Sequence, residues 1–545
     1  MEKYIKAVLG LIILQIIFSA LSNLSLAFMP YFVKLMFDTA PSGDVAAIIR
    51  LCVGYSGCIL GSLVFTYIDQ YFSWKMAIVF EGSVKRDFFA AVSAYSYSRF
   101  RKTDVGEYIA MQGNEIQELE TDYLTPIVEI FKSTMSFVVY AIVLFIFIDW
   151  RIGAVIVPVS VITALIAPKV LTKPVSRRRK IFLDKKGGYI SLMKDLLEGF
   201  KLITSATRDA FLAAHERELS ETLKKRFWYG KLKVLMYIFN GCFLYSLNIL
   251  SFILVGVMMY LKEISIGAGV ATLGYIESFI DPVRDITIYV SSIRSTTDIK
   301  KKVMDFLTPE KTPVLPVASH LNEAIELRGA SASFDDFSLG PVSLRFEKGK
   351  KYALIGHNGS GKSTILNLIM KYVEAASGEI LLDGVPITNI DTSKVVWNVD
   401  QHDHMFASAF NECVTVFSAL PHRNLDGLEK SAGTRKMKTI SESENCQDLS
   451  GGEKQLVSIA RAMLADTDVV LLDESFAAMD PSTHDRVHEL VLKDPEKTVI
   501  SVTHKLNEHL ELYDEVILMK DGKVATRGPW SAMKSSECFK GSGVS

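Results

Sequence analysis

The six cysteines, Cys52, Cys58, Cys242, Cys413, Cys446 and Cys538, include no C-x-x-C pair and no metal-ligand spacing. A disulfide framework and a zinc site are excluded as organising features, and the cysteines read as small buried hydrophobes in a reducing compartment. A charge imbalance is also missing: Lys and Arg number 60 and Asp and Glu 61, which argues against a nucleic-acid partner and against an acidic tail. Charge is absent altogether from several long stretches. Between Ala7 and Val33 no position is charged, a run longer than the roughly 20 residues a helix needs to cross a bilayer. No small-residue cleavage site follows it, so the stretch is expected to remain as a span rather than to be removed as a signal peptide.

What is present begins with apolar residues, 49% of 545, and a mean hydropathy of +0.24. Further charge-free runs are Leu51 to Ile68, Ser133 to Ile148, Ile152 to Pro168, Val234 to Leu261 and Ile264 to Ile276. Together with the first they make six helical spans, the third and fourth joined at Asp149-Trp150-Arg151. Lys and Arg crowd into Lys85 to Lys102, Lys173 to Lys186 and Lys224 to Lys233, while the other loops are short and near neutral. The positive-inside rule then puts both termini in the cytoplasm. The inter-span segments Tyr71 to Glu129 and Lys169 to Lys233 read as helices running on beyond the bilayer, with turns at Thr103 to Gly106 and Thr204 to Asp209. Gly57-x-x-x-Gly61 permits close helix approach. Glu277, Asp281, Arg284 and Asp285 share one helical face, with Pro282 interrupting the backbone. They read either as a local Asp281–Arg284 pair or as an acidic cavity wall, Glu277 and Asp281, favouring a cationic or zwitterionic cargo.

The second half carries a nucleotide signal. Tyr352-Ala-Leu-Ile runs as an apolar strand into Gly356-His357-Asn358-Gly359-Ser360-Gly361-Lys362-Ser363-Thr364, and a helical pattern follows. Successive backbone N–H groups must wrap a polyphosphate, which side chains would obstruct, so glycines keep the loop bare. The helix from Lys362 adds its positive end, Lys362 a point charge, and the Ser363 hydroxyl a ligand for Mg²⁺. Val469 to Asp473 is a strand ending in two carboxylates: Asp473 is placed to hold Mg²⁺ through water, and Glu474 to polarise an attacking water. Ser450-Gly451-Gly452 opens a second helix, a second anion site in a chain with a single triphosphate cradle. Two copies paired head to tail resolve this, each one's Ser450 and Gly452 meeting the phosphate held by the other's Lys362.

These motifs, in this order, resemble the ATP-binding cassette family across essentially the whole chain. The resemblance implies an all-α six-helix transmembrane domain over 1–306, a proline-bearing linker over 307–323, and an α/β P-loop NTPase domain with an added helical subdomain over 324–545. It assigns purine stacking to Phe334, γ-phosphate sensing and a metal contact to Gln401, a dimer-facing loop to Asp480 and a switch role to His504. It further implies cytoplasmic helix tips that dock on the partner's nucleotide domain. The chain departs from the family in having Phe334 where tyrosine is usual and Asp400-Gln401-His402-Asp403-His404 around the glutamine. His402 and His404 read as residues of a solvated loop rather than as metal ligands. The expected protein is an ATP-driven, Mg²⁺-dependent exporter of an amphipathic, cationic or peptide cargo. It would work in a bacterial plasma membrane as a homodimer, with a related half-transporter as the other possible partner. A lipid or drug exporter and an ATP-gated channel are the alternatives.

Overall fold

The computed structural model describes residues 1–166, 172–308, 315–334, 337–421, 425–503 and 508–534. The chain divides into two compact units, Met1–Ser93 with Val105–Thr308, and Ala94–Asp104 with Pro309–Ser545.

The first unit is helical. α1 (Glu2–Thr39), α2 (Val45–Ser93) and, beyond a short α3 (Tyr97–Phe100) that belongs to the other unit, α4 (Val105–Ile148) are each long and apolar enough to cross a membrane. α5 (Trp150–Ile166), α6 (Thr172–Glu198), α7 (Arg208–Tyr260), α8 (Ile266–Ser295) and α9 (Thr297–Leu307) follow. Shorter apolar stretches lie in α5, α7 and α8, at Trp150–Ile162, Asn248–Tyr260 and Ile266–Tyr275. The six charge-free runs thus fall on six helices. The connections beyond the spans come at 94–104, which contains α3, and at 199–207, each starting a few residues earlier than the sequence pattern indicates.

Packing is specific where polar groups meet. The Ser22 hydroxyl of α1 lies 3.1 Å from that of Ser62 and 2.8 Å from that of Thr66, both on α2. Tyr275 of α8 donates its hydroxyl to the Ala27 carbonyl inside a cluster that includes Tyr140, Ile152 and Phe279. Lys132 of α4 is buried between Asp69 of α2 and Glu129, at 2.8 Å from each. Removing one member of such a pair leaves a charge in a medium that cannot solvate it. Lys132→Met alone should cost about 3–5 kcal/mol, while Asp69→Leu added to it should restore most of the loss. Thermal unfolding in detergent measures both, and a single variant no worse than an exposed-site control would remove the pair from the list of determinants.

Three sequence expectations need correcting here. α8 runs unbroken through Pro282, because in a bundle neighbouring groups re-satisfy the carbonyl that proline frees. Gly57 faces open space and Gly61 faces Ser25, so the close approach falls instead at Gly54, directly under the Phe32 ring. Cys52 and Cys242 are exposed, and among the described residues only the cysteines Cys413 and Cys446 are buried; an apolar thiol on a lipid-facing helix needs no burial.

The second unit is α/β. A mostly antiparallel sheet holds β1 (Ala324–Ser333), β2 (Ser338–Glu347), β4 (Ser377–Leu382) and β5 (Val385–Pro386) in the order β2-β1-β4-β5. The larger sheet contains β3 (Lys351–Gly356), β6 (Val396–Val399), β7 (Val469–Asp473), β8 (Thr498–Val502), β9 (Glu515–Lys520) and β10 (Lys523–Gly528), ordered β10-β9-β3-β8-β7-β6. From β9 to β6 every pairing in it is parallel, so β3, β7 and β8 end on one edge. Their fully or largely buried runs fit a sheet covered on both faces. α10 (Lys362–Ile369) leaves β3, and the helices α11 (Phe410–Thr415), α12 (Asp426–Ala432), α13 (Thr434–Ser441) and α14 (Gly451–Ala465) form the inserted helical part between β6 and β7. α15 (Pro481–Leu492) precedes β8. Within this unit the Tyr97 ring of α3 sits 4.4 Å from that of Tyr372. The turn between α2 and α4 therefore packs on the chain's own α/β unit.

Candidate nucleotide site

The site is built where β3 and β7 end, separated by β8. Such an edge, at the carboxyl ends of parallel strands, is where open α/β sheets bind ligands. Gly356 (φ +148°) brings its backbone against the Met519 carbonyl, leaving no room for a side chain, and Gly359 (φ +78°) turns an unobstructed face outward. At the start of α10, Lys362 is buried and donates from Nζ to the carbonyls of Gly356 (2.8 Å) and His357 (2.9 Å). Burial pulls its ammonium below the ordinary lysine range, against the opposing pull of Glu474 and Asp473. The Ser360 hydroxyl is buried with no hydrogen-bond partner among the described residues, inside the curve of the loop. A bare loop, an inward lysine and an orphaned hydroxyl fit a polyphosphate that would engage all three.

At the end of β7, burial raises the Asp473 carboxyl, and a hydrogen bond from Ser363 opposes that rise. Hydroxyl and carboxylate thus already touch, the donor set a small hard cation takes. Glu474 has φ +48°, a left-handed conformation unusual for a side-chain-bearing residue, and its N–H is held by the Val502 carbonyl at 3.2 Å. That strained turn points its carboxylate to Gln401, whose Nε2 donates to Oε2 at 3.3 Å. Phe334, about half exposed, lies with its ring 6.3 Å from that of Phe337 and 24° off parallel, and Phe337 in turn approaches the loop glycine Gly361.

The second anion site is a capped helix end. Ser450 caps α14 in a capping box with Glu453, whose carboxylate accepts from the Ser450 N–H at 2.8 Å and from its hydroxyl at 2.6 Å. Those two bonds hold the Glu453 carboxyl below its usual range. Gly452 abuts the Ala478 carbonyl, at 2.8 Å from where a Cβ would stand, and Gln455 Oε1 accepts from Ala478 N–H at 3.0 Å. The start of α14, including Gly451, is thereby fastened to the segment after Glu474. Asp480 caps α15 by accepting from Thr483 N–H, the main reason its carboxyl stays far below the ordinary range, with Ser482 and Lys436 (3.2 Å) adding to the effect. Asn358 and Thr364 lie in the loop and in α10 as expected. His402 and His404 are exposed; the His404 carbonyl accepts from Arg461 and its ring meets Phe406. His504 lies outside the described residues.

So two strand ends on one edge of the parallel sheet supply a phosphate loop, a metal pair and a poised carboxylate. Residues 339–477 match the family described as ABC transporter, and residues 12–283 match ABC transporter transmembrane region. The chain belongs to the ABC transporters. It is a half-transporter of the exporter type, six-helix region first and one nucleotide domain after, and an ATPase coupled to transport. It is 24% identical to the ATP-dependent lipid A-core flippase of Haemophilus influenzae, over 70% of this chain and 68% of that one. It is 26% identical to the uncharacterized ABC transporter ATP-binding protein YfiC of Bacillus subtilis, over 86% and 82%. With ABC transporter B family member 1 of Dictyostelium discoideum it shares 24% over 94% of its own length but only 58% of that protein's.

On the membrane side of this ABC half-transporter, Asp281 is exposed and pairs with Arg284 at 3.0 Å, and Arg284 also reaches Asp285 at 3.3 Å. The local pair is what the structure displays, and the side chain of Glu277 lies outside the described residues. A feature that the sequence reading passed over is a groove of about 920 Å³ between α6 and α7. Lys173, Arg177, Arg178 and Lys231 line it together with Trp228 and Leu235. The basic clusters were visible in the sequence, but only the hairpin of α6 and α7 aligns them across one apolar floor.

Proposed function

We propose that two copies of this chain pair head to tail in a plasma membrane, probing cargo from the cytoplasmic side and exporting an amphipathic molecule with an anionic head group. The observation that carries the ATPase part is the meeting of Gln401 with Glu474 beside the Ser363–Asp473 bond at one sheet edge. Lys362 would exchange its loop carbonyls for phosphate oxygens when nucleotide arrives. Ser363, Asp473 and Gln401 would hold Mg²⁺, which when bound neutralises charge on the outer phosphates. Glu474 accepts the proton of the attacking water, and Gln401 fixes the carboxylate for that task. Ser450 and Gly452 of the second copy close the site, and its Asp480 lies in the segment following. His504 is assigned the switch position, and Phe334 the stack on the purine. Closure and reopening of the paired domains would alternate the cavity between the two membrane sides. Both termini are placed in the cytoplasm by the lysine and arginine pattern, and a bacterial origin is in keeping with two of the relatives.

The head-group reading rests on the groove of α6 and α7, where four cations stand over an apolar floor. It agrees in kind with the name of the lipid A-core flippases. A cationic or peptide cargo is the second reading, supported by Glu277 and Asp281 on one face of α8, although Arg284 already spends part of that charge. ATP hydrolysis in lipid nanodiscs separates them. An anionic lipid-like amphiphile should raise turnover several-fold, and Arg177→Glu with Lys231→Glu should erase the rise. Stimulation by a cationic peptide alone would reverse the assignment, and a tracer that never accumulates in inside-out vesicles would favour a gated channel over an exporter.

A further inference from the structure

We propose that His484, Asp485 and His509 form a binding site for a divalent transition-metal ion of the Zn²⁺ class in the wall of the cavity behind Glu474. Asp485 Oδ1 lies 2.9 Å from His484 Nδ1 and 2.8 Å from His509 Nε2. One ligand atom from each residue falls within 4.8 Å of the others, close enough for a single ion to reach all three. Two imidazoles and one carboxylate are the donor set of Zn²⁺, Co²⁺ and Ni²⁺, and a poor one for Mg²⁺ or Ca²⁺, which seek oxygen alone.

The site is built from two elements rather than strung along one. His484 and Asp485 belong to α15, and His509 comes from the turn Glu508–Leu512 that follows β8. His484 is buried, and its ring is set edge-on against Phe476 at 5.6 Å. A third imidazole, that of His488 one turn further along α15, stacks on His484 at 5.4 Å and is oriented by a 2.8 Å contact from Nε2 to the Tyr513 hydroxyl. The stack sets a ring that is itself held in place against the proposed ligand His484. A cavity of about 100 Å³ runs alongside, lined by Glu474, Phe476, His484, Thr503, His509 and Tyr513, so one end of it is the catalytic carboxylate.

With no ion, Asp485 bridges the two rings by hydrogen bonds, and the neighbouring imidazoles hold its carboxyl below the usual range, His484 first. An ion replaces those bonds by two Zn–N bonds and one Zn–O bond, the ring protons moving to the far nitrogens. It would clamp α15, which carries Asp480 at its start, to the turn beyond β8. Occupancy should therefore slow turnover several-fold while leaving nucleotide affinity unchanged.

The test is Co²⁺ titration of the full chain in detergent, purified on a tag without histidine and stripped with chelator. Binding is read by visible ligand-field absorption and by equilibrium dialysis, so it does not depend on the ATPase or cargo reading. One Co²⁺ per chain, displaced by Zn²⁺, is expected. His484→Gln with His509→Asn should weaken binding at least about tenfold. Asp485→Asn, a change at a half-exposed side chain that the fold tolerates, should weaken it likewise and serves if the double variant misfolds. Absence of stoichiometric binding to the wild-type chain overturns the proposal, and so does binding that survives both variants.

Discussion

Glu474→Gln should lower ATP turnover by about 10²-fold or more while nucleotide binding stays near the wild-type level. The expectation follows from position. The residue stands at the end of β7 in a left-handed conformation that its N–H bond to Val502 and the packing around it sustain, and its carboxylate is within 3.3 Å of Gln401. Glutamine has the same shape and keeps the contact with Gln401, so the loop and the fold survive. What is lost is the group able to take a proton from water. Lys362→Ala should do the opposite, abolishing binding first, because Lys362 is the buried cation of the phosphate loop. The two variants are separated by measuring nucleotide affinity beside the turnover number. Turnover that persists in Glu474→Gln would assign the proton to another group, Asp473 being nearest in sequence, and its burial-raised carboxyl would then need a new explanation.

The nucleotide side was legible in the sequence because phosphate imposes backbone geometry, and only glycine meets it at Gly356 and Gly359. The strand ending in Asp473 and Glu474 was legible for a similar reason: a parallel strand buried on both faces is a continuous apolar run, and its last residue emerges at the edge. The capping box of Ser450 and Glu453 is local, three residues apart, and lies open to reading. What was hidden depends on distance along the chain. Asp69 and Lys132 are 63 residues apart and meet only because α2 and α4 pack side by side. His509 reaches Asp485 only because β8 returns the chain to the side of α15. Pro282 was misread since its effect is decided by neighbours that re-satisfy a carbonyl, and Gly57 since the partner facing a small residue is set by helix rotation, which spacing alone does not fix. Of the two readings open for Asp281, a local pair or a cavity wall, the Arg284 contact three residues on displays the first.

Head-to-tail pairing has a sharper consequence than oligomeric state, and it turns on Lys362 and Ser450 occupying different halves of a site. Lys362→Ala and Ser450→Arg, each expressed alone, should both be inactive, since each disables both sites of a dimer. Expressed together, they should recover about a quarter of wild-type sites, because random pairing makes half the dimers mixed and each mixed dimer keeps one site intact. In that mixed dimer both lesions fall in the same site: the chain lacking Lys362 meets the partner lacking Ser450. The other site joins an intact phosphate loop to an intact capped helix. A site assembled within one chain cannot be rescued this way, since no subunit in the mixture carries both groups. Recovery is read as nucleotide trapped at the intact site as well as by turnover, so that a requirement for two working sites does not mask it. A mixture as inactive as either parent by both readouts would dismiss the shared site, and would leave the anion-binding start of α14 in need of another ligand.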